Sequence, residues 1–207
     1  MDDHAELMEL SIPFLDDAKD KTPGKAMELW LNEEYGPASN FYERLSAALI
    51  AHLRDYWSMP PRIAGGHLDR RLHEPAAATH YFSVTAGYLD GSAPTSPRHH
   101  LHPYGEINFV VPLERGAVLA GPLGWRGAGW TSPGPGSSHY PASRGAVMTL
   151  SFLPAGRISY DGPPGAAAPE PGREHVGPVA PLPETDQPWP FGLDSLPPLK
   201  RRSGWPN

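Results

Sequence analysis

His99-His100-Leu101-His102-Pro103-Tyr104-Gly105-Glu106-Ile107-Asn108 is the stretch on which the reading of this chain turns. Histidines stand at 100 and 102, and a carboxylate follows at 106. On an extended strand, residues i and i+2 point to the same face, so His100 and His102 can aim two imidazoles at one point. Pro103 and Gly105 bend the backbone after them and can bring Glu106 to the same point. Neutral imidazoles with a carboxylate form a donor set suited to a divalent first-row metal. If Glu106 points inward, alternation turns Asn108 and Val110 inward too, and Ile107 and Phe109 toward the opposite layer.

Working outward, the surroundings of this stretch read as β-structure. Residues 79–89 (THYFSVTAGYL) are rich in β-branched and aromatic side chains and end at the turn signal Asp90-Gly91. Strands are also predicted over 107–113 (INFVVPL), 117–120, 146–153 (AVMTLSFL) and 157–160, with a glycine-rich hairpin over 121–130. Short strands with frequent turn signals and no interleaved helices indicate an antiparallel barrel or sandwich.

Upstream, residues 1–57 have helical periodicity. Leu7, Leu10, Phe14, Leu15 and Ala18 form one stripe, which Pro13 should kink or restart. Thr22-Pro23 reads as a cap and first turn, Gly36 as a stop, and Ser39 as the start of a third helix. Residues 58–78 read as a connector with room for one short strand. The division expected is therefore a helical segment (1–57), a β-barrel (58–161) and a Pro/Gly-rich extended tail (162–207) that holds 12 of the chain's 27 prolines.

Composition narrows the function. The net charge is −6, so nothing marks the chain as a nucleic-acid binder. The absence of cysteine excludes disulfides and thiolate-held metals. The N-terminus lacks the apolar core of a signal peptide, and no apolar run approaches membrane-spanning length. A cytoplasmic protein without a membrane partner is the expectation.

A metal site needs further donors, and His139 is the best candidate, after the turn-rich run Gly134-Pro135-Gly136-Ser137-Ser138. His100, His102 and Glu106, followed by Gly136 and His139, match the two-motif pattern of the cupin barrels. Gly134 and Ser143 depart from it, standing where that pattern has proline and asparagine. The fold expected is thus mainly β, a cupin-type antiparallel barrel (jelly roll) with an N-terminal helical segment. Trp125, Arg126 and Trp130 fall between the motifs. An aromatic pair near a guanidinium suits a small aromatic acid, with the ring stacked and the carboxylate gripped. They are candidate substrate-binding residues together with Asn108, and Arg98, Arg144 and Arg157 are alternative clamps.

The runs HPYGEINFVVPL (102–113), AGPLGWRGAGWTSPGPGSSHYP (120–141) and FLPAGRISYD (152–161), with DKTPGKAMELWLNEEYGP (20–37) and THYFSVTAGYLD (79–90), resemble the 4-hydroxylaminobenzoate lyases, a small cupin-like family of nitrobenzoate breakdown. The resemblance covers residues 7 to 161. It implies conversion of 4-hydroxylaminobenzoate to 3,4-dihydroxybenzoate and ammonia, with a metal acting as Lewis acid on the hydroxylamino oxygen. Iron or manganese is favoured as the metal, while zinc, nickel and cobalt tolerate the same donors. The leaving oxygen needs a proton, for which Tyr104, His99 and Tyr140 are the candidate donors. By analogy with cupin barrels, a homodimer is expected. Two other readings fit the same donor set: a dioxygenase acting on an aromatic acid or catechol, and a small-molecule sensor without turnover.

Overall fold

A computed structural model describes residues 3–57, 67–91 and 99–160. The predicted tail and Arg98 lie outside the described residues. Helix α1 (Asp3–Ala18) buries Leu7, Leu10, Phe14, Leu15 and Ala18, the predicted stripe. It runs on through Pro13 instead of restarting there. Pro13 and Glu9, whose carbonyl loses its helical partner, are both exposed, so water can take the freed bond while the stripe holds the helix. Helix α2 (Lys25–Glu34) starts later than Thr22-Pro23 suggests. Gly24 occupies the N-cap position and donates its backbone N–H to Ser132 Oγ at 3.1 Å, so the helix start is tied to the barrel. Helix α3 (Asn40–Trp57) begins after Ser39, whose Oγ accepts the Tyr42 N–H at 3.1 Å, as its sequence predicts.

Ten strands follow among the described residues: β1 (His67–His73), β2 (Phe82–Asp90), β3 (His100–His102), β4 (Ile107–Pro112), β5 (Val118–Gly121), β6 (Gly124–Arg126), β7 (Gly129–Thr131), β8 (Ser137–His139), β9 (Ser143–Arg144) and β10 (Ala146–Pro154). They form a five-stranded sheet in the order β1-β2-β10-β4-β7, a β3-β8 pair and a β6-β5-β9 sheet. Every strand pairing among the described residues is antiparallel. The fold is mainly β and antiparallel, with a helical segment ahead of the strands in the chain. Residues 121–130 are only in part the expected hairpin. Gly121 faces Gly124 across a tight β5–β6 turn, and the chain then crosses to the large sheet, where β7 pairs with β4. The strand expected over 157–160 reduces to one bridge between Ser159 and Leu101.

The large sheet has two unlike faces. Phe82, Val84, Ala86, Ile107, Phe109, Val111, Met148, Leu150 and Phe152 share one core with the three helices. The alternate residues Thr85, Asn108, Thr149 and Ser151 turn to an internal cavity. The strands follow the period-two alternation, although both faces are buried.

Trp130 on β7 anchors the helical layer. It is fully buried, stacks on Phe14 at 4.9 Å and donates Nε1–H to the Tyr35 carbonyl at 2.8 Å. β7 is also a sheet edge, and the helices satisfy its polar groups. The Asn32 side-chain amide accepts from Trp130 N at 3.0 Å and donates to Trp130 O at 2.9 Å, as a neighbouring strand would. Tyr42 Oη accepts from Gly129 N at 3.2 Å, and Glu28 Oε2 accepts from Ser132 N at 3.1 Å.

Two outcomes follow from this packing. Trp130→Ala is expected to lower unfolding free energy by about 3–5 kcal/mol, read by denaturant titration; a loss below about 1 kcal/mol would contradict the anchoring role. Burial is the main cause holding the Glu28 carboxyl above its ordinary pKa. The folded chain therefore binds this proton more tightly than the unfolded chain, and the group costs stability as pH rises above the unfolded value. The stability of Glu28→Gln relative to the native chain should improve between about pH 5 and about pH 8, and a constant difference would refute the assignment.

Candidate metal centre

β3 and β8 pair with His100 opposite His139 and His102 opposite Ser137. Alternation buries His100 and His102 and turns Leu101 the other way. This register brings together three imidazoles from two separate stretches of chain. His139 Nε2 lies 3.0 Å from His100 Nε2 and 3.1 Å from His102 Nε2. Burial pushes the His102 pKa down to about 4. His139 lies well below its ordinary value, chiefly through burial and then through the neighbouring histidines. Both rings are therefore neutral near pH 7, the form a ligand requires.

The donors fit a metal ion. Two nitrogens about 2.1 Å from a shared ion and at right angles to each other stand about 3.0 Å apart. Three facing Nε2 atoms cannot all be satisfied by N–H bonds to one another, because each N–H serves one acceptor well. A cation can take all three lone pairs together.

Gly105 shapes the turn that follows. It has φ 81°, and a Cβ there would fall 2.5 Å from Pro23 Cβ and 2.8 Å from the Pro133 carbonyl oxygen. Gly105 N donates to His102 O at 3.3 Å, and Glu106 N to Pro133 O at 2.9 Å. Only glycine gives both the positive φ and the close approach. The turn delivers Glu106 beside the histidines, its Oε2 3.6 Å from His102 Nε2. Asn108 Nδ2 donates to that same oxygen at 2.8 Å, and Ser151 Oγ donates to Asn108 Oδ1 at 2.5 Å. Burial pushes the Glu106 carboxyl up to about 7, against the Asn108 bond. The histidines thus form the converging group, and Glu106 stands next to it, oriented by Asn108.

These groups open on a cavity of about 460 Å³ between the large sheet and the smaller ones. His100, His139, Glu106 and Asn108 line one part of it. Several residues that sequence reasoning had placed here lie elsewhere. Trp130 is in the core under the helices. Arg126 lies 3.7 Å from buried Glu28, and Trp125 lies under the Arg144 guanidinium at 4.4 Å. The expected aromatic-and-guanidinium clamp therefore does not form at the cavity, because β7 turns its large ring to the helical layer and β6 belongs to another sheet. Tyr104 is exposed, and His99 and Tyr140 pack on each other at 5.0 Å. None of the three is among the residues lining the cavity.

Arg71, His67, Asp69, Thr85, Ser151 and Tyr160 do line it and were missed. Tyr160 has its ring 5.8 Å from that of His100. β1 reads HLDRRLH, and its polar inner residues hide the strand signal. Only its cross-strand neighbours reveal that 67, 69 and 71 share the cavity face.

Known proteins resemble this chain strongly in sequence. The family model described as PnbB, 4-hydroxylaminobenzoate lyase, matches residues 9–160. A 4-hydroxylaminobenzoate lyase of Nocardioides sp. (strain LMS-CY) is 51% identical over 158 residues, covering 75% of this chain and 94% of the relative. That of Pseudomonas putida is 50% identical over 171 residues, covering 78% and 97%. Solved structures are more distant. An oxalate oxidase has TM-score 0.35 and 20% identity over 47% of this chain and 56% of its own. A DMSP lyase has TM-score 0.39 and 16% identity over 77% of this chain and 98% of its own.

Metal analysis on the purified chain checks the centre. The native protein is expected to retain about one divalent ion per chain after desalting, and His100→Ala or His139→Ala to reduce this at least about tenfold. Undiminished metal in both variants would sink the three-histidine assignment.

Proposed function

The chain belongs to the 4-hydroxylaminobenzoate lyase family, and on that premise we propose that it converts 4-hydroxylaminobenzoate to 3,4-dihydroxybenzoate and ammonia in a metal-dependent reaction. The observation that carries this reading is the convergence of the His100, His102 and His139 nitrogens beside Glu106 at a cavity sized for one small ligand. The reaction consumes one water and needs no external oxidant, because the N–O bond, as it breaks, accepts the two electrons that hydroxylation of the ring releases. A divalent ion held by the three histidines, with Glu106 as a fourth donor, would supply Lewis acidity at the hydroxylamine oxygen. Iron or manganese is the favoured identity, and zinc, nickel or cobalt would suit the same donors.

The chain's own groups have separate tasks. Burial keeps His102 and His139 unprotonated, so their nitrogens stay available as donors. Asn108 fixes the Glu106 carboxylate through Nδ2, and Ser151 fixes Asn108 in turn. The departing oxygen must receive a proton from a group that reaches the cavity. Tyr160 and the His67–Asp69 pair, joined at 2.9 Å, meet that condition. They replace Tyr104, His99 and Tyr140 in that role. The apolar wall around Leu89, Leu119 and Leu153 gives an aromatic ring a surface to pack on.

Anaerobic incubation of the metal-loaded chain with 4-hydroxylaminobenzoate tests the proposal. Ammonia and 3,4-dihydroxybenzoate are expected in equal amounts, with turnover unchanged in air. Glu106→Gln is expected to lower kcat at least about 100-fold. A requirement for oxygen would favour the dioxygenase reading, and binding without turnover would favour the sensor.

A further inference from the structure

The strand register carries one polar row across the inner face of the large sheet. Arg71 on β1 pairs with Thr85 on β2, Thr85 with Ser151 on β10, and Ser151 with Asn108 on β4. All four line the cavity. Arg71 stands at the rim, because β1 is the edge strand of the large sheet among the described residues. Asn108 stands at the histidine end, bonded to Glu106. Three strand spacings of about 4.8 Å separate the Cα atoms of Arg71 and Asn108 by roughly 14 Å. A long arginine side chain at one end and a short amide at the other leave room between them for a single benzene ring with substituents at opposite ends.

Charge along this row is uneven. Arg71 is the only arginine or lysine among the described residues that line the cavity. The acidic side chains there are Asp69, paired with His67 at 2.9 Å, and Glu106 at the histidines. Arg71 therefore offers an anionic ligand group a cationic partner at the rim, while at the histidine end Glu106 offsets part of the charge of an ion held there. The guanidinium is held for such a contact. Its Nε donates to Thr85 Oγ1 at 2.9 Å and its Nη1 to Glu74 Oε2 at 3.0 Å. The Glu74 side chain is 77% exposed, so that ion pair holds the arginine only weakly and yields readily to a ligand carboxylate.

We propose that Arg71 binds the carboxylate of the substrate and thereby directs the para substituent of its ring toward His100, His102 and His139. Thr85 acts as a positioning residue by accepting from Nε. The site then selects aromatic acids whose reacting group lies opposite the carboxylate, and it discriminates against neutral ring analogues. This assignment rests on the lyase reading for the identity of the acid, while the Arg71 contact can be measured without turnover.

The test uses the full metal-loaded chain and two unreactive probes, 4-hydroxybenzoate and its uncharged counterpart 4-hydroxybenzamide, in calorimetric titrations. Arg71→Met is expected to weaken 4-hydroxybenzoate binding about 10- to 100-fold and to leave 4-hydroxybenzamide binding within about twofold, the spread expected away from a contact. Arg71→Lys should recover part of the loss, and Thr85→Val should give a smaller loss of the same selectivity. With 4-hydroxylaminobenzoate, Arg71→Met should raise KM more than it lowers kcat. Equal losses for the acid and the amide would mean a structural role and overturn the proposal. So would unchanged acid binding, or a native chain that binds no 4-hydroxybenzoate. If the acid–amide contrast holds but no hydroxylamine is turned over, the lyase reading fails and the Arg71 assignment stands.

Discussion

Strand β4 is hydrogen-bonded on both sides, to β10 and to β7, so the facing direction of each of its residues is fixed. A slip of one residue would send Ile107, Phe109 and Val111 into the cavity and Asn108 into the helical core. Neither layer tolerates that exchange. The helical side would then contain an unpaired amide, and the cavity would lose the bond that orients Glu106. The apolar layer thus enforces the register on which the polar site depends. The apolar core and the polar groups that orient Glu106 share one sheet and use alternate residues of the same strands.

The histidine group depends on a second register, that of β3 with β8. Each is only three residues long. Such short strands hold few ladder bonds of their own, and the turns around them carry the rest. His102 O accepts from both Gly105 N and Gly136 N, and Leu101 exchanges backbone bonds with Ser159. Pro23, ahead of α2, packs where a Cβ on Gly105 would stand. The helical segment therefore reaches the candidate metal centre by contact with the turn between His102 and Glu106.

Much of this was legible in the sequence, for identifiable reasons. Helical periodicity gave the buried stripe of α1, and Ser39 marked the start of α3. Two-residue alternation gave the inward direction of Asn108 and the opposite direction of Phe109. His100 and His102 were visible because their spacing is local, and His139 because it follows a turn-rich run. The cavity rim was not legible. Arg71 and Thr85 are 14 positions apart, and only strand pairing makes them neighbours. Trp125, Arg126 and Trp130 illustrate the converse. Closeness in sequence suggested one cluster, but β6 and β7 belong to different sheets, and the rings separate. Tyr104 stands between donors in sequence, yet its ring is exposed.

The way Asn32, Tyr42 and Glu28 occupy the polar groups of β7 bears on assembly. An unpaired strand edge is a template for another chain, and on this side the helices have taken the template away. At the other end of the sheet, no strand among the described residues lies beyond β1. Among the described residues, an extension of the large sheet into a second copy of this protein would have to run through β1, the strand that carries Arg71. Self-association by that route would place a second molecule at the mouth of the cavity, so access of a small acid to its site and the pairing of two chains would compete for, or share, the same edge.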